Sequence, residues 1–163
     1  MTMFKSIAAA AAISLLGTVS AIAQAPPPSP YGASITLEAA KKAMAAAEAE
    51  ATKNNWNVVI TIVDAGGHIV MMQRANNTQY ASIRIAEGKA RTAVEFRRPT
   101  KALEDAVAAG GGGLRFLAVE GLTPLEGGIP IVVDGKIIGG IGVSGVASKD
   151  DAAIARAGAD AAK

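Results

Sequence analysis

Two glycine-studded segments restrict the fold of this chain more than any other feature. The first reads Val63-Asp64-Ala65-Gly66-Gly67-His68-Ile69-Val70, with Arg74 just beyond. The second reads Glu126-Gly127-Gly128-Ile129-Pro130, then Asp134-Gly135-Lys136, then Gly139-Gly140-Ile141-Gly142-Val143-Ser144-Gly145. Each reads as a tight hairpin in which the backbone comes close to another strand or to a ligand. Chains built on hairpins make antiparallel sheets.

The N-terminus reads as a signal peptide over residues 1–23. Lys5 supplies the positive start, Ile7 to Ile22 is apolar and alanine-rich, and Ala21-Ile22-Ala23 gives the small-x-small cleavage pattern. The apolar run is too short to favour a stable membrane span; the alternative is a retained anchor helix. Periplasmic or secreted localisation follows. Residues 24–34, with Pro26-Pro27-Pro28-Ser29-Pro30, read as a stiff, extended tether. Once residues 1–23 are removed about 140 residues remain, enough for one domain with one core.

The net charge of +2 falls to +1 once Lys5 is removed, and no Lys/Arg block suggests nucleic acid. The chain contains no cysteine, so it has no disulfide and no thiolate for metal, haem or nucleophilic work. A single histidine excludes a multi-histidine zinc site within one subunit.

Thr36 is the expected N-cap of a first helix, with Leu37, Ala40, Met44, Ala47 and Ala51 on one stripe and Asn54-Asn55 at its end. Trp56 to Val63 reads as an inner strand with two apolar faces, Val58, Ile60 and Ile62 on one and Val59, Thr61 and Val63 on the other. His68 to Arg74 returns as its partner. Alternation places His68, Val70, Met72 and Arg74 on one face and Ile69, Met71 and Gln73 on the other. A helix over Gln79 to Phe96 follows, and Thr100 starts a shorter one through Ala108. Gly110 to Gly113 is a flexible joint, Arg115 to Val119 a short strand, and Ile129 to Val133 and Lys136 to Val143 a second hairpin. Ser148 caps a last helix. The order α-β-β-α-α-β-β-β-α gives an α+β fold, an antiparallel sheet of about five strands flanked by helices over residues 35–163.

His68 is the chemically versatile residue: its imidazole can ligate haem iron or a metal ion, or shuttle protons, and it can equally be a solvent-facing turn residue. Met72 and Arg74 on the same face suit an anionic, apolar ligand, or else a core thioether and a surface ion pair. Lys89 lies beside the apolar arc of its helix, where it either snorkels to solvent or offers a cation to a carboxylate. Arg91 with Glu87 and Glu95 reads as an ordinary set of helical ion pairs. The adjacent glycines of Glu126-Gly127-Gly128 either free backbone amides for a ligand or simply provide a positive-φ turn. Gly139-Gly140-Ile141-Gly142 lies inside a strand, so it is not a dinucleotide fingerprint and reads as a close-packing site for a helix or a neighbouring subunit. Ser144 lacks the full elbow pattern and the single histidine has no obvious orienting acid, which argues against a serine hydrolase.

Taken in order, Asp64-x-Gly66-Gly67-His68, Arg74, Lys89-Ala90-x-Thr92-Ala93, Gly127-Gly128-Ile129-Pro130, the Gly139 to Gly145 run and Asp151 resemble the GlcG/HbpS family, which includes the haem-binding C-terminal module of PduO-type proteins. The resemblance covers nearly the whole mature chain. It implies an antiparallel sheet flanked by helices, assembly into homo-oligomers, and haem or another small anionic molecule as ligand. On this reading His68 is the candidate haem-iron ligand, Arg74 and Lys89 meet anionic groups, and Met72, Glu126, Gly127 and Gly128 line the pocket. The alternative is an enzyme acting on a small hydroxy- or oxo-acid, with Lys89 or His68 as acid/base and the Gly127-Gly128 amides steadying an oxyanion.

Overall fold

The computed structural model describes residues 27–163, so the expected signal peptide and the start of the tether lie outside the described residues. The elements run α1 (Leu37–Lys53), β1 (Val59–Asp64), β2 (Ile69–Arg74), α2 (Ala81–Glu95), α3 (Lys101–Ala108), a 3-10 segment (Gly111–Ala118), β3 (Gly128–Val133), β4 (Lys136–Ser144) and α4 (Ser148–Ala161). One antiparallel sheet of order β2-β1-β4-β3 sits between two helical layers. α1 and α4 pack together on one face, and α2 covers the other. Among the described residues no helix is long and apolar enough to cross a membrane.

The architecture follows from the pattern of β1. Val58, Ile60 and Ile62 join Ala40, Met44 and Ala47 of α1 and Ile154 of α4 in the larger core. Val63 points the other way and packs with Ala90 and Val94 of α2 and Ile137 of β4. A strand with two apolar faces needs a layer on each side, which this sandwich supplies. Thr36 caps α1 by accepting the Ala39 N–H at 3.2 Å. Asn55, at φ 56°, ends it: the amides of Asn55 and Trp56 donate back to Thr52 and Ala51. Leu37, expected on the buried stripe, is 47 % exposed.

Three expectations change. The strand foreseen over Arg115 to Val119 is 3-10 helix, so the sheet has four strands. The Gly110 turn (φ 71°) leads straight into this tight coil, which packs on α3 and lies outside the sheet. Second, a β-bulge interrupts β2: Val63 faces Ile69 while Ile62 faces Met71, leaving Val70 as the extra residue. Partners opposite each other share a face, so Ile69, Met72 and Arg74 lie on the α2 side with Val63, Thr61 and Val59. Strict alternation had put Ile69 on the opposite side. Third, the end of the tether is held: Tyr31 bridges Ile137 in parallel, and the Gly32 and Ile35 amides donate to Ile137 and Ile138.

The glycines of β4 act as packing sites, as their place inside a strand suggested. A Cβ on Gly142 would stand 2.1 Å from the Ala86 carbonyl oxygen, and one on Gly140 2.8 Å from that of Ala90. The α2 backbone therefore rests directly on a strip of β4 without side chains. Gly142→Ala is expected to lower stability by about 2 kcal/mol or more, since α2 must move away. Gly112→Ala, with nothing within 4 Å of the new carbon, is expected to stay within about 0.5 kcal/mol of wild type. Urea denaturation of both variants checks this pair.

Candidate functional site

The β1–β2 turn is organised by one carboxylate. Asp64 Oδ1 accepts the Gly66 N–H at 2.8 Å and the His68 N–H at 2.9 Å, and lies 3.4 Å from His68 Nδ1. These amide donors, that of His68 foremost, hold the Asp64 carboxyl below the ordinary carboxylate range. Gly66 makes the geometry possible: a Cβ there would stand 3.0 Å from His68 Nδ1, so the imidazole folds back over bare backbone. Gly67, at φ 84°, turns the chain against the Arg91 side chain of α2. His68 itself is 83 % exposed in its side chain. The orienting acid that the sequence did not reveal is therefore Asp64, four residues upstream.

Between this turn and α2 lies an open cleft of about 440 Å³ lined by His68, Ile69, Glu87, Arg91 and Glu95 together with Gly66 and Gly67. Arg91 is paired with Glu87 and remains partly exposed. The apolar surface continues along β2, where Ile69 is 49 % and Met72 36 % exposed on the same face. Arg74 ends the strip, its guanidinium 5.2 Å above the Tyr80 ring centroid. The structure thus brings His68, Met72 and Arg74 onto one margin of the molecule. It adds Ile69 and Arg91, which sequence reasoning had assigned to the opposite face and to a plain ion pair.

Lys89, Gly127 and Gly128 come together in the interior instead. The Lys89 ammonium is 2 % exposed; it donates to Asp151 Oδ2 at 2.8 Å and to the Val143 carbonyl at 2.9 Å. Asp151 also accepts the Val146 N–H at 3.2 Å. Burial pushes the Asp151 carboxyl above its usual range, partly offset by Lys89 and that amide. A Cβ on Gly127 would stand 2.8 Å from Lys89 Nζ, and Gly127 has φ 122°. The Gly128 N–H is taken by Thr100 Oγ1 at 2.9 Å, and a Cβ there would meet the Lys89 carbonyl at 2.3 Å. Of the two readings of these glycines, the geometry takes the turn: the space they leave is filled by α2 and Lys89. The Glu126 N–H donates to the Glu104 carboxylate, tying the loop to α3.

Because burial raises the Asp151 pKa on folding, the ionised carboxylate costs stability as the pH rises through that raised pKa, while its contacts with Lys89 and the Val146 amide position α2, β4 and α4 against one another. Lys89→Met alone is expected to cost about 3–5 kcal/mol, because Asp151 is left buried without its counter-charge, while Lys89→Met with Asp151→Leu recovers most of that loss. Thermal and chemical unfolding of the three proteins checks it. Asp64→Ala is expected to cost about 1 kcal/mol at neutral pH through its lost amide bonds. Because the Asp64 value is lowered on folding, that difference persists above the unfolded value of 3.8 and disappears as the pH falls through the folded one. Unfolding curves collected from pH 7 down to pH 3 measure it.

Comparison with known proteins covers the same elements. The chain is 43 % identical to protein GlcG of Escherichia coli K12 over 110 residues, 68 % of this chain and 81 % of GlcG. The crystal structure of HbpS superposes with a TM-score of 0.73 at 35 % identity, covering 79 % of this chain and 90 % of that one. That of a PduOC–haem complex gives 0.72 at 29 % identity, covering 78 % and 94 %. The model of the family described as haem degrading protein HbpS-like matches residues 35–160, from the start of α1 to the end of α4. The sandwich with its glycine-stripped strand is therefore that of a chain that belongs to the HbpS-like family.

Proposed function

We propose that this protein binds haem at the β2–α2 margin, with His68 as the iron ligand. The observation that carries the reading is the His68–Asp64 arrangement. The Asp64 carboxylate lies beside Nδ1 and the imidazole is exposed, so Nε2 is open to a ligand. Ile69 in the cleft and Met72 further along β2 offer exposed apolar contact, and Arg91, partly exposed although paired with Glu87, offers a cation for a propionate, with Arg74 at the far end of the strand. The haem-bound relative and the family description support the same ligand.

When bound, haem supplies redox-active iron. The protein's own part is to present the imidazole beside Asp64, pair a propionate and shield one face from water. Lys89 takes no part, since its ammonium is held by Asp151 and the Val143 carbonyl.

Export and self-association complete the proposal. Export rests on the Lys5, Ile7 to Ile22 and Ala21-Ile22-Ala23 pattern. Self-association rests on Leu114, Leu117, Val119 and Leu125, which stay 42–63 % exposed around the 3-10 segment. Hemin titration of the purified protein is expected to give a saturable Soret shift, weakened at least tenfold in His68→Ala and several-fold in Arg91→Ala. An unshifted Soret band in wild type removes haem from the account, and an unchanged titration in His68→Ala removes the histidine.

A further inference from the structure

A second cleft lies at the other end of β1, away from the β1–β2 turn that carries His68. It is open, measures about 350 Å³ and is lined by Asn55, Trp56, Asn57, Asn77 and Gln79 together with Thr78, Gly145 and Val146. We propose that it binds a neutral, polyhydroxylated ligand of monosaccharide size. The proposal is independent of the haem reading.

Asn55, Asn57, Asn77 and Gln79, all exposed, line this cleft, and among the described residues no charged residue does. Each carboxamide donates and accepts at once, as a hydroxyl does, so the set matches a ring of hydroxyls. A charged ligand would leave water here without a counter-charge. Trp56 contributes the apolar element: it is half-buried and borders both this cleft and a smaller one beneath α1, giving an indole surface to the less polar side of a ring. Its volume lies within the range of about 300–1,000 Å³ that small-molecule pockets occupy, while its mostly polar lining suits a hydroxylated ligand rather than an apolar one.

The backbone holds these groups in place. Asn55 and Asn77 both sit in the left-handed region, at φ 56° and 63°, each fixed by its turn. The first closes α1 through the Trp56 amide donating to Ala51 at 2.9 Å. The second is locked by Thr78, whose hydroxyl donates to Ala75 at 2.8 Å and lies 3.3 Å from the Val58 carbonyl. Gly145 packs against the same stretch, since a Cβ there would stand 2.4 Å from the Asn57 carbonyl oxygen. Asn54, one residue before the cleft, is by contrast bonded to Glu50 and points away from this role.

Trp56 is the chain's single tryptophan, so its fluorescence reports on the cleft directly. Wild-type protein is titrated with a neutral hexose, an N-acetylhexosamine and a hexuronate, each to about ten millimolar, the range in which weak sites fill. A saturable change with a neutral sugar and a markedly weaker one with the hexuronate is expected. Asn57→Ala and Gln79→Ala, both exposed positions outside the two left-handed turns, are expected to weaken the response at least tenfold with unchanged Tm. No saturable change with either neutral sugar overturns the proposal. So does an equal response to the hexuronate, or an undiminished response in both variants.

Discussion

The rest of the structure depends on the direct seating of the α2 backbone on β4. Gly140 and Gly142 remove the side chains that would hold the helix away from the sheet, and the Ala86 and Ala90 carbonyls occupy the space. This fixes the depth of α2. Its depth buries Lys89, and a buried ammonium then requires a counter-charge, which α4 supplies as Asp151. The same close approach brings Gly67 against Arg91 and so forms the cleft beside His68.

The two cationic centres that sequence reasoning proposed for ligand binding are thereby separated by environment. Lys89 is an interior strut whose protons are already assigned. Arg74 and Arg91 remain at the surface, on the margin where β2 carries exposed Ile69 and Met72. That margin, with His68 at one end, is the place we propose for an anionic, apolar ligand.

Much of the fold was legible because its signals are local. The two-faced pattern of Val58 to Val63, the Thr36 cap and the paired hairpins each act over a few residues. What was missed depends on distant partners. The Val70 bulge arises from the register between β1 and β2, and it moves Ile69 to the other face without any mark in the β2 sequence. The Arg115 to Val119 stretch has strand-like residues, yet the Gly110 turn directs it onto α3. Helical spacing placed Lys89 at the edge of an apolar arc. Its partner, 62 residues later, decided that it would be buried rather than reach solvent. Asp64 was read as a turn residue, and only the folded turn shows its carboxylate against the imidazole.

A crystal structure of the wild-type protein grown with hemin tests the account most directly. It predicts iron bonded to His68 Nε2, Nδ1 facing Asp64, and propionates within reach of Arg91 or Arg74. Iron held by any other residue, or a porphyrin seated away from the β2–α2 margin, would contradict it.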